Sequence, residues 1–163
     1  MDNWHQSQRG YFSGALYDLM KADDSIYIII CDLGYKTFDR LFTDFPDRCI
    51  NTGASEQAAM GIAVGLAQEG KKPFIYTITP FFMRCAETIS LYVDQEQCPV
   101  RLVGAGRDDD YLHDGKSHFA FKAQEFLYQL PIKSLYPETK EEVPEIIKNM
   151  VENNVPSFIS LKR

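Results

Sequence analysis

Residues 45–84 decide the fold of this chain and read FPDRCINTGASEQAAMGIAVGLAQEGKKPFIYTITPFFMR. Short apolar runs alternate here with longer stretches of helical periodicity, and turn residues separate them. The pattern predicts two strand–helix pairs in succession: a strand over residues 48–51, a helix over 55–69, a strand over 73–77 and a helix over 81–93.

The start of the first helix in this stretch carries the strongest local signals. Gly53 is followed by Ser55, which is predicted to act as the N-cap. Glu56 then falls in the first turn, where the helix dipole favours a carboxylate. The rest of the helix is rich in small residues, and a glycine inside a helix costs roughly 1 kcal/mol relative to alanine. The small side chains therefore indicate close approach of another backbone or of a flat ligand: Ala58, Ala59, Gly61, Ala63, Gly65 and Ala67.

Residues 26–30, Ile-Tyr-Ile-Ile-Ile, form a continuous run of mostly β-branched residues on the N-terminal side of this stretch. Such a run is typical of a strand buried on both faces, as in parallel sheets. It ends at Asp32, and ligands of open α/β sheets gather at the carboxyl ends of the strands.

Strands and helices alternate along the whole chain, which predicts one domain over residues 1–163. We expect an α/β fold with three layers: an open parallel sheet of about six strands and helices on both faces. The remaining elements are helices over residues 8–22, 37–44, 119–128 and 140–153, strands over 99–103, 132–136 and 156–161, and a polar loop over 107–117.

Composition excludes several classes of function. The formal net charge of −6 and the pI near 5.0 disfavour a nucleic-acid surface, which needs clustered Lys and Arg. No apolar run reaches the roughly 20 residues of a membrane helix, and no signal peptide is visible, so we expect a cytoplasmic location without a membrane. Four widely spaced cysteines without zinc spacing predict buried free thiols: Cys31, Cys49, Cys85 and Cys98. The carboxylates at 108–110 indicate a solvated loop, and no metal site is predicted.

Several motifs, taken in order, resemble the pyrimidine-binding domain of the transketolase family of thiamine diphosphate enzymes. The resemblance begins at about residue 25 and implies the thiamin diphosphate-binding fold. It is carried by Phe-Pro-Asp-Arg at 45–48, Gly-Ala-Ser-Glu-Gln at 53–57, the small-residue helix at 61–67, Asp-Gly-Lys-Ser-His at 114–118 and a closing strand at 156–163.

The resemblance implies cofactor roles for four residues. Glu56 would hydrogen-bond N1′ of the aminopyrimidine ring and activate the cofactor; without the resemblance it reads as an ordinary first-turn carboxylate. Phe81 would pack its ring on the pyrimidine, although neighbouring Phe82 leaves the register open. Gly53 precedes the helix that carries Glu56. Ile78 stands where the family often has a second aromatic residue, which indicates a cofactor-binding surface of a different shape.

Three further residues are implied to face the substrate. His118 would act near the reacting carbonyl, where an imidazole can move a proton or hold an oxyanion. Arg84 would contact a phosphate or carboxylate, and Asp114 belongs to the same loop as His118. The alternatives are a solvated loop histidine and a surface ion pair of Arg84 with Glu87 or Asp94.

The family's diphosphate-binding motif, Gly-Asp-Gly followed downstream by Asn, is missing from this chain. An acidic chain without a glycine-rich phosphate loop holds a diphosphate poorly. The resemblance therefore implies that a separate subunit binds the diphosphate through Mg²⁺, in a heterotetramer with this chain. A homodimer of the isolated chain is also compatible with it.

The predicted function is that of the pyrimidine-binding subunit of a split transketolase-like enzyme, similar to deoxyxylulose-phosphate synthases, which transfers a two-carbon unit. One alternative is a half-subunit of a 2-oxo acid decarboxylase of the sulfopyruvate or phosphonopyruvate type. Another is a non-catalytic flavodoxin-like module, for example a receiver domain with Asp32 as phosphoacceptor.

Overall fold

The computed structural model describes residues 6–163 and contains one six-stranded sheet in which all neighbouring strands are parallel. The predicted α/β class and strand number are confirmed. The strands are β1 (Ile26–Ile30), β2 (Cys49–Asn51), β3 (Lys72–Ile78), β4 (Arg101–Ala105), β5 (Lys133–Leu135) and β6 (Ser157–Leu161). Their order across the sheet is β2-β1-β3-β4-β6-β5.

Helices cover both faces of this sheet, as the alternation of elements predicts. They are α1 (Gln8–Ala22), α2 (Asp39–Asp44), α3 (Glu56–Gln68), α4 (Ala86–Thr88), α5 (Phe121–Gln129) and α6 (Val143–Asn153). None of the helices among residues 6–163 combines the length and the apolar character needed to cross a bilayer.

The residues of β1 explain the three layers. Ile28 and its even-numbered neighbours contact one core cluster, formed with residues of α1 and α6. Ile29 points to the opposite cluster, which contains residues of α3 and α5. Successive side chains of a strand face opposite sides, so a strand with apolar residues at every position requires a cover on each face.

Residues 79–95 form a composite helix instead of the regular helix predicted over 81–93. A 3₁₀ segment (Thr79–Cys85) leads into the single turn of α4, and a π-helical segment (Ile89–Gln95) follows. Pro80 lies in the first turn of the 3₁₀ segment, where proline is tolerated because the first amides of a helix have no helical acceptor. The composite helix directs Phe82 into the core and leaves Phe81 only half-buried.

A fully buried arginine anchors the amino-terminal end of β4. The guanidinium of Arg101 donates to the carbonyls of Met150 and Pro99 and to Oδ1 of Asn154, each at 2.9 Å. Burial lowers the pKa of Arg101 to about 10, so the side chain stays cationic at neutral pH. The interaction ties β4 to the end of α6.

The strand order changes direction between β1 and β3. The chain runs from β1 outward to β2 and then returns to β3 on the other side of β1. Such a switch point is the usual ligand site in open α/β sheets. The order differs from the flavodoxin order, in which the fifth strand follows the fourth, because β6 lies between β4 and β5 here. The flavodoxin-like alternative therefore does not match the observed topology.

Candidate functional site

Glu56 is the first residue of α3, next to the switch point, and its side chain is only 2% exposed. Its Oε2 atom is buried and has no hydrogen-bond partner among the described residues. A buried carboxylate oxygen without a hydrogen-bond donor is costly, because it has lost its hydrogen bonds to water and has none within the described residues to replace them. The described residues thus leave this oxygen able to accept a further hydrogen bond.

The loop before α3 is fixed by one amide side chain. Oδ1 of Asn51 accepts hydrogen bonds from the backbone N–H of Gly53 at 3.0 Å and of Asp32 at 3.2 Å. Gly53 has φ +67°, a conformation that favours glycine. This arrangement joins the end of β1 to the turn that delivers Glu56. The sequence pattern gave no reason to single out Asn51.

The predicted capping role of Ser55 is wrong. Ser55 stands at the N-cap position, but its side chain makes no capping hydrogen bond. Its backbone N–H donates to the carbonyl of Gly53 at 2.7 Å, and its side chain is exposed. The tight backbone turn after Gly53, not a side-chain cap, sets the start of α3.

Two buried thiols lie in the electrostatic neighbourhood of Glu56. Burial raises the pKa of Cys31, and the Glu56 carboxylate raises it further. Burial likewise raises the pKa of Cys85 to about 12, with Cys31 and Glu56 adding to the shift. Both thiols are therefore neutral at physiological pH and leave the carboxylate in apolar surroundings. All four cysteines are free and buried, as predicted.

Arg84 pairs with Glu56 and not with Glu87 or Asp94. Its Nη1 lies 3.4 Å from Oε2 of Glu56, without hydrogen-bond geometry, and its side chain is 58% exposed. The guanidinium also lies over the ring of Phe81, with its carbon 5.0 Å from the ring centroid. Because the Arg84 side chain is mostly exposed and donates no hydrogen bond to Glu56, an incoming ligand can displace it.

Phe81 and Phe82 lie in different environments. The ring of Phe82 is fully buried and packs edge-on against Phe158 in the core. The ring of Phe81 is half-buried and contacts His118 edge-on, with the ring centroids 5.2 Å apart. Phe81 is therefore the aromatic residue that remains available to a ligand.

The structure links four of the predicted site residues in a row: Glu56, Arg84, Phe81 and His118. Ile78, half-buried, ends β3 immediately before the composite helix. Asp114 makes a different contact: its carboxylate lies 3.2 Å from Nε2 of His113.

Tyr111 was missed by the sequence interpretation. Its hydroxyl accepts a hydrogen bond from Arg9 Nη1 at 2.8 Å, and its ring lies 6.4 Å from that of His118. Gly106, with φ +84°, makes room for this ring, since a Cβ there would meet it at 2.3 Å. No local signal could reveal a pair separated by 102 residues.

The loop over residues 107–117 contains two short 3₁₀ turns, Leu112–Asp114 and Lys116–His118. The Asp110 carboxylate binds backbone groups of its own chain: its Oδ2 accepts hydrogen bonds from the backbone N–H of Arg107 and of Arg163. Across residues 6–163, no group of three or more potential metal-ligating side chains is found.

The chain is thus an open, parallel α/β domain. A buried carboxylate oxygen without a hydrogen bond lies next to its switch point, and the composite helix carries a half-buried aromatic ring. The model of the family "Transketolase, pyrimidine binding domain" matches residues 5–163. The chain belongs to this family.

Curated relatives support the assignment. Over 157 residues, 93% of this chain, it is 31% identical to 1-deoxy-D-xylulose-5-phosphate synthase of Fusobacterium nucleatum. Over 126 residues, 72% of the chain, it is 37% identical to a probable chloroplastic 1-deoxy-D-xylulose-5-phosphate synthase of Capsicum annuum. The chain spans only 26% and 17% of the length of these two proteins.

Solved structures share the fold. A split-gene transketolase, described as an inactive tetramer of four beta chains, aligns over 96% of this chain with a TM-score of 0.84 and 28% identity. The chain covers 52% of that polypeptide. Transketolase of Campylobacter jejuni aligns with a TM-score of 0.86 at 18% identity, over 96% of this chain and 26% of its own. The chain is thus a transketolase-type pyrimidine-binding domain.

Proposed function

We propose that this chain is the pyrimidine-binding subunit of a split, thiamine diphosphate-dependent transketolase-like enzyme that transfers two-carbon ketol or acyl units. The observation that carries the proposal is the Glu56 carboxylate, which is 2% exposed and keeps Oε2 without a hydrogen bond. Family membership makes an aminopyrimidine ring the fitting partner for that oxygen.

The residues present fit such a ring. Glu56 would hold a proton between its carboxylate and the ring nitrogen N1′, in surroundings made apolar by two neutral thiols. Phe81 would pack on the flat heterocycle. Gly53 and Ile78 would border the ring from the turn before α3 and from the end of β3. Bound thiamine diphosphate would supply the nucleophilic carbon that attacks the substrate carbonyl.

Arg84, His118 and Asp114 would serve the substrate. The guanidinium of Arg84 is mostly exposed and weakly held, so it can leave Glu56 when the cofactor enters and then bind a phosphate or carboxylate. The half-buried ring of His118, in contact with Phe81, would hold or move a proton at the substrate carbonyl oxygen. Asp114 would complete the same loop.

A second subunit would bind the diphosphate through Mg²⁺. Residues 1–163 contain no Gly-Asp-Gly followed downstream by Asn, so the diphosphate would lie against residues outside this domain. The second subunit is also supported by similarity to a split-gene transketolase whose β chains form an inactive tetramer. The active assembly would be a heterotetramer, and this chain alone would be inactive.

The test is reconstitution with a chain from the same genome that carries the Gly-Asp-Gly and Asn motif. We expect calorimetry to detect thiamine diphosphate binding, and assays to detect turnover, only when both chains and Mg²⁺ are present; the mixture without Mg²⁺ is the control. Transfer to an aldehyde acceptor, as opposed to CO₂ release alone, separates the transferase from the decarboxylase alternative. An equal affinity of the isolated chain for the cofactor would contradict the partnership.

A further inference from the structure

A buried hydroxyl group joins the two segments that carry Phe81 and His118. Thr79 is the first residue of the composite helix and is fully buried. Its Oγ1 donates a hydrogen bond to the carbonyl of Gly106 at 2.6 Å, just past the last paired residues of β3 and β4. The hydrogen bond therefore connects the start of the composite helix to the start of the loop that leads to His118.

The backbone of β4 is shaped to accommodate this hydrogen bond. Gly104 leaves the space that the hydroxyl occupies, because a Cβ at this position would collide with Oγ1 of Thr79. Gly106 has φ +84°, and its N–H donates to the carbonyl of Leu161 on β6 at 2.8 Å. The two backbone polar groups of Gly106 are thus held from two sides, the N–H by β6 and the carbonyl by Thr79.

From Gly106 the contacts lead to the rings of the candidate site. The ring of Tyr111 packs against Gly106, and its centroid lies 6.4 Å from that of His118. The ring of His118 in turn contacts Phe81, which follows Thr79 by two residues. Thr79 is therefore linked to Phe81 along the chain and to His118 through Gly106 and Tyr111.

We propose that Thr79 is a positioning residue that sets the placement of the His118 ring against the Phe81 ring. Because Thr79 is fully buried, it acts through these residues and not on a ligand directly. Without the hydroxyl, the buried carbonyl of Gly106 loses a donor, which favours a rotation of this peptide and a shift of the loop behind it. The inference rests on the proposed function, since it serves two residues of the proposed site.

The first test is NMR spectroscopy of the isolated full chain, which requires neither a cofactor nor a second subunit. We expect a nuclear Overhauser effect between the ring protons of Phe81 and His118 in the wild type, because the ring centroids are 5.2 Å apart. Thr79→Val should fold and lose this effect, whereas Thr79→Ser keeps the hydroxyl and should retain it. A folded Thr79→Val chain with the wild-type effect would overturn the proposal.

Ser157→Ala is the matched control for the loss of a buried hydroxyl. Ser157 is 1% exposed at the start of β6, and its Oγ has no hydrogen-bond partner among the described residues. This variant should keep the effect between Phe81 and His118. Gly104→Ala is a second variant for the case that Thr79→Val does not fold, because the added methyl group displaces the hydroxyl without removing it. It should also lose the effect, and a folded Gly104→Ala chain that retains it would contradict the proposal.

The second test is turnover by the reconstituted two-subunit enzyme. Thr79→Val should lower kcat about tenfold, since a displacement of reacting groups by 1 Å can cost about 10² in rate. Thr79→Ser should restore turnover, and Ser157→Ala should not change it. An equal loss of kcat in Thr79→Val and Ser157→Ala would show a general loss of stability and would refute the positioning role. An inactive wild-type mixture would instead count against the proposed function, while the spectra of the isolated chain would still decide the role of Thr79.

Discussion

Two of the buried charged side chains are held in opposite ways: Arg101 at the amino-terminal end of β4 and Glu56 at the carboxyl-terminal edge of the sheet. Arg101 is fully buried and donates to three acceptors of its own chain. Glu56 is nearly as buried, yet its Oε2 atom has no hydrogen bond. Its ion-pair partner, Arg84, is mostly exposed to water.

This difference separates a structural charge from a functional one. Burial of a charge costs several kcal/mol unless hydrogen bonds replace the lost water. Arg101 recovers that cost within the chain, so its removal should damage the fold. Glu56 does not, so its removal should leave the fold stable and weaken the binding of the ligand that contacts the carboxylate. Each of the following predictions tests one side of this contrast.

The largest effect should follow from Glu56→Ala in the reconstituted two-subunit enzyme. Loss of the group that holds the proton at N1′ should reduce kcat by about 10² to 10⁴, the range attributed to general acid–base groups. Steady-state rates at saturating cofactor measure this loss. Glu87→Gln, which alters an exposed carboxylate nearby, is the control and should retain normal turnover. Wild-type turnover by the Glu56→Ala enzyme would remove the catalytic role.

Arg101→Met should destabilise the fold by about 3 kcal/mol, because the buried carbonyls of Met150 and Pro99 lose their donor. Urea unfolding measures the change in the free energy of unfolding. Lys148→Met is the matched control, since Lys148 is exposed and its ion pair with Glu152 is long, at 4.0 Å. It should change stability by less than about 0.5 kcal/mol. If both substitutions have similar effects, the buried hydrogen bonds of Arg101 contribute nothing.

The sequence predicts the fold better than it predicts the site. The apolar run of β1 and the alternation of elements suffice for a parallel sheet with two covered faces. The cofactor role of Glu56 was implied only by the family resemblance, because a glutamate in a first turn by itself indicates no more than an ordinary carboxylate that complements the helix dipole. Contacts such as Arg84 with Glu56, or Arg9 with Tyr111, join residues distant in sequence, and periodicity contains no information about them.

Local rules also failed where backbone geometry dominated. Ser55 has the side chain of an N-cap, but the turn set by Gly53 and Asn51 determines the start of α3. The composite helix could not be read from its apolar pattern, because placing Phe82 in the core and leaving Phe81 at the surface is a tertiary constraint. Both departures lie next to the candidate site.

A smaller effect of opposite sign should follow from Glu56→Gln. A neutral amide costs less to bury than an unsatisfied carboxylate, so the free energy of unfolding of the isolated chain should rise by about 1 kcal/mol. Glu87→Gln, on the exposed side of α4, is again the control and should leave stability unchanged. If the free energy of unfolding instead fell by about 2 kcal/mol or more, the size of a broken buried hydrogen bond, the chain itself would supply a donor to Glu56.

The smallest effect concerns Asp23, a carboxylate that its own chain does satisfy. Burial alone would raise its pKa, but hydrogen bonds from Lys72 and Ser25 outweigh burial and hold the pKa at about 2, below its ordinary value of 3.8. A lowered pKa stabilises the fold above the unfolded-state pKa, and this contribution disappears as the pH falls from about 4 towards 2. Because the side chain is partly exposed, the contribution should stay below about 1 kcal/mol. Wild type should therefore exceed Asp23→Asn in urea midpoint at pH 6 and lose that advantage near pH 2. If the difference in urea midpoint between the two proteins is the same at pH 6 and pH 2, the ion pair with Lys72 does not lower the pKa of Asp23. Hydrogen bonds from the chain's own groups would then be a weaker criterion for separating structural from functional charges.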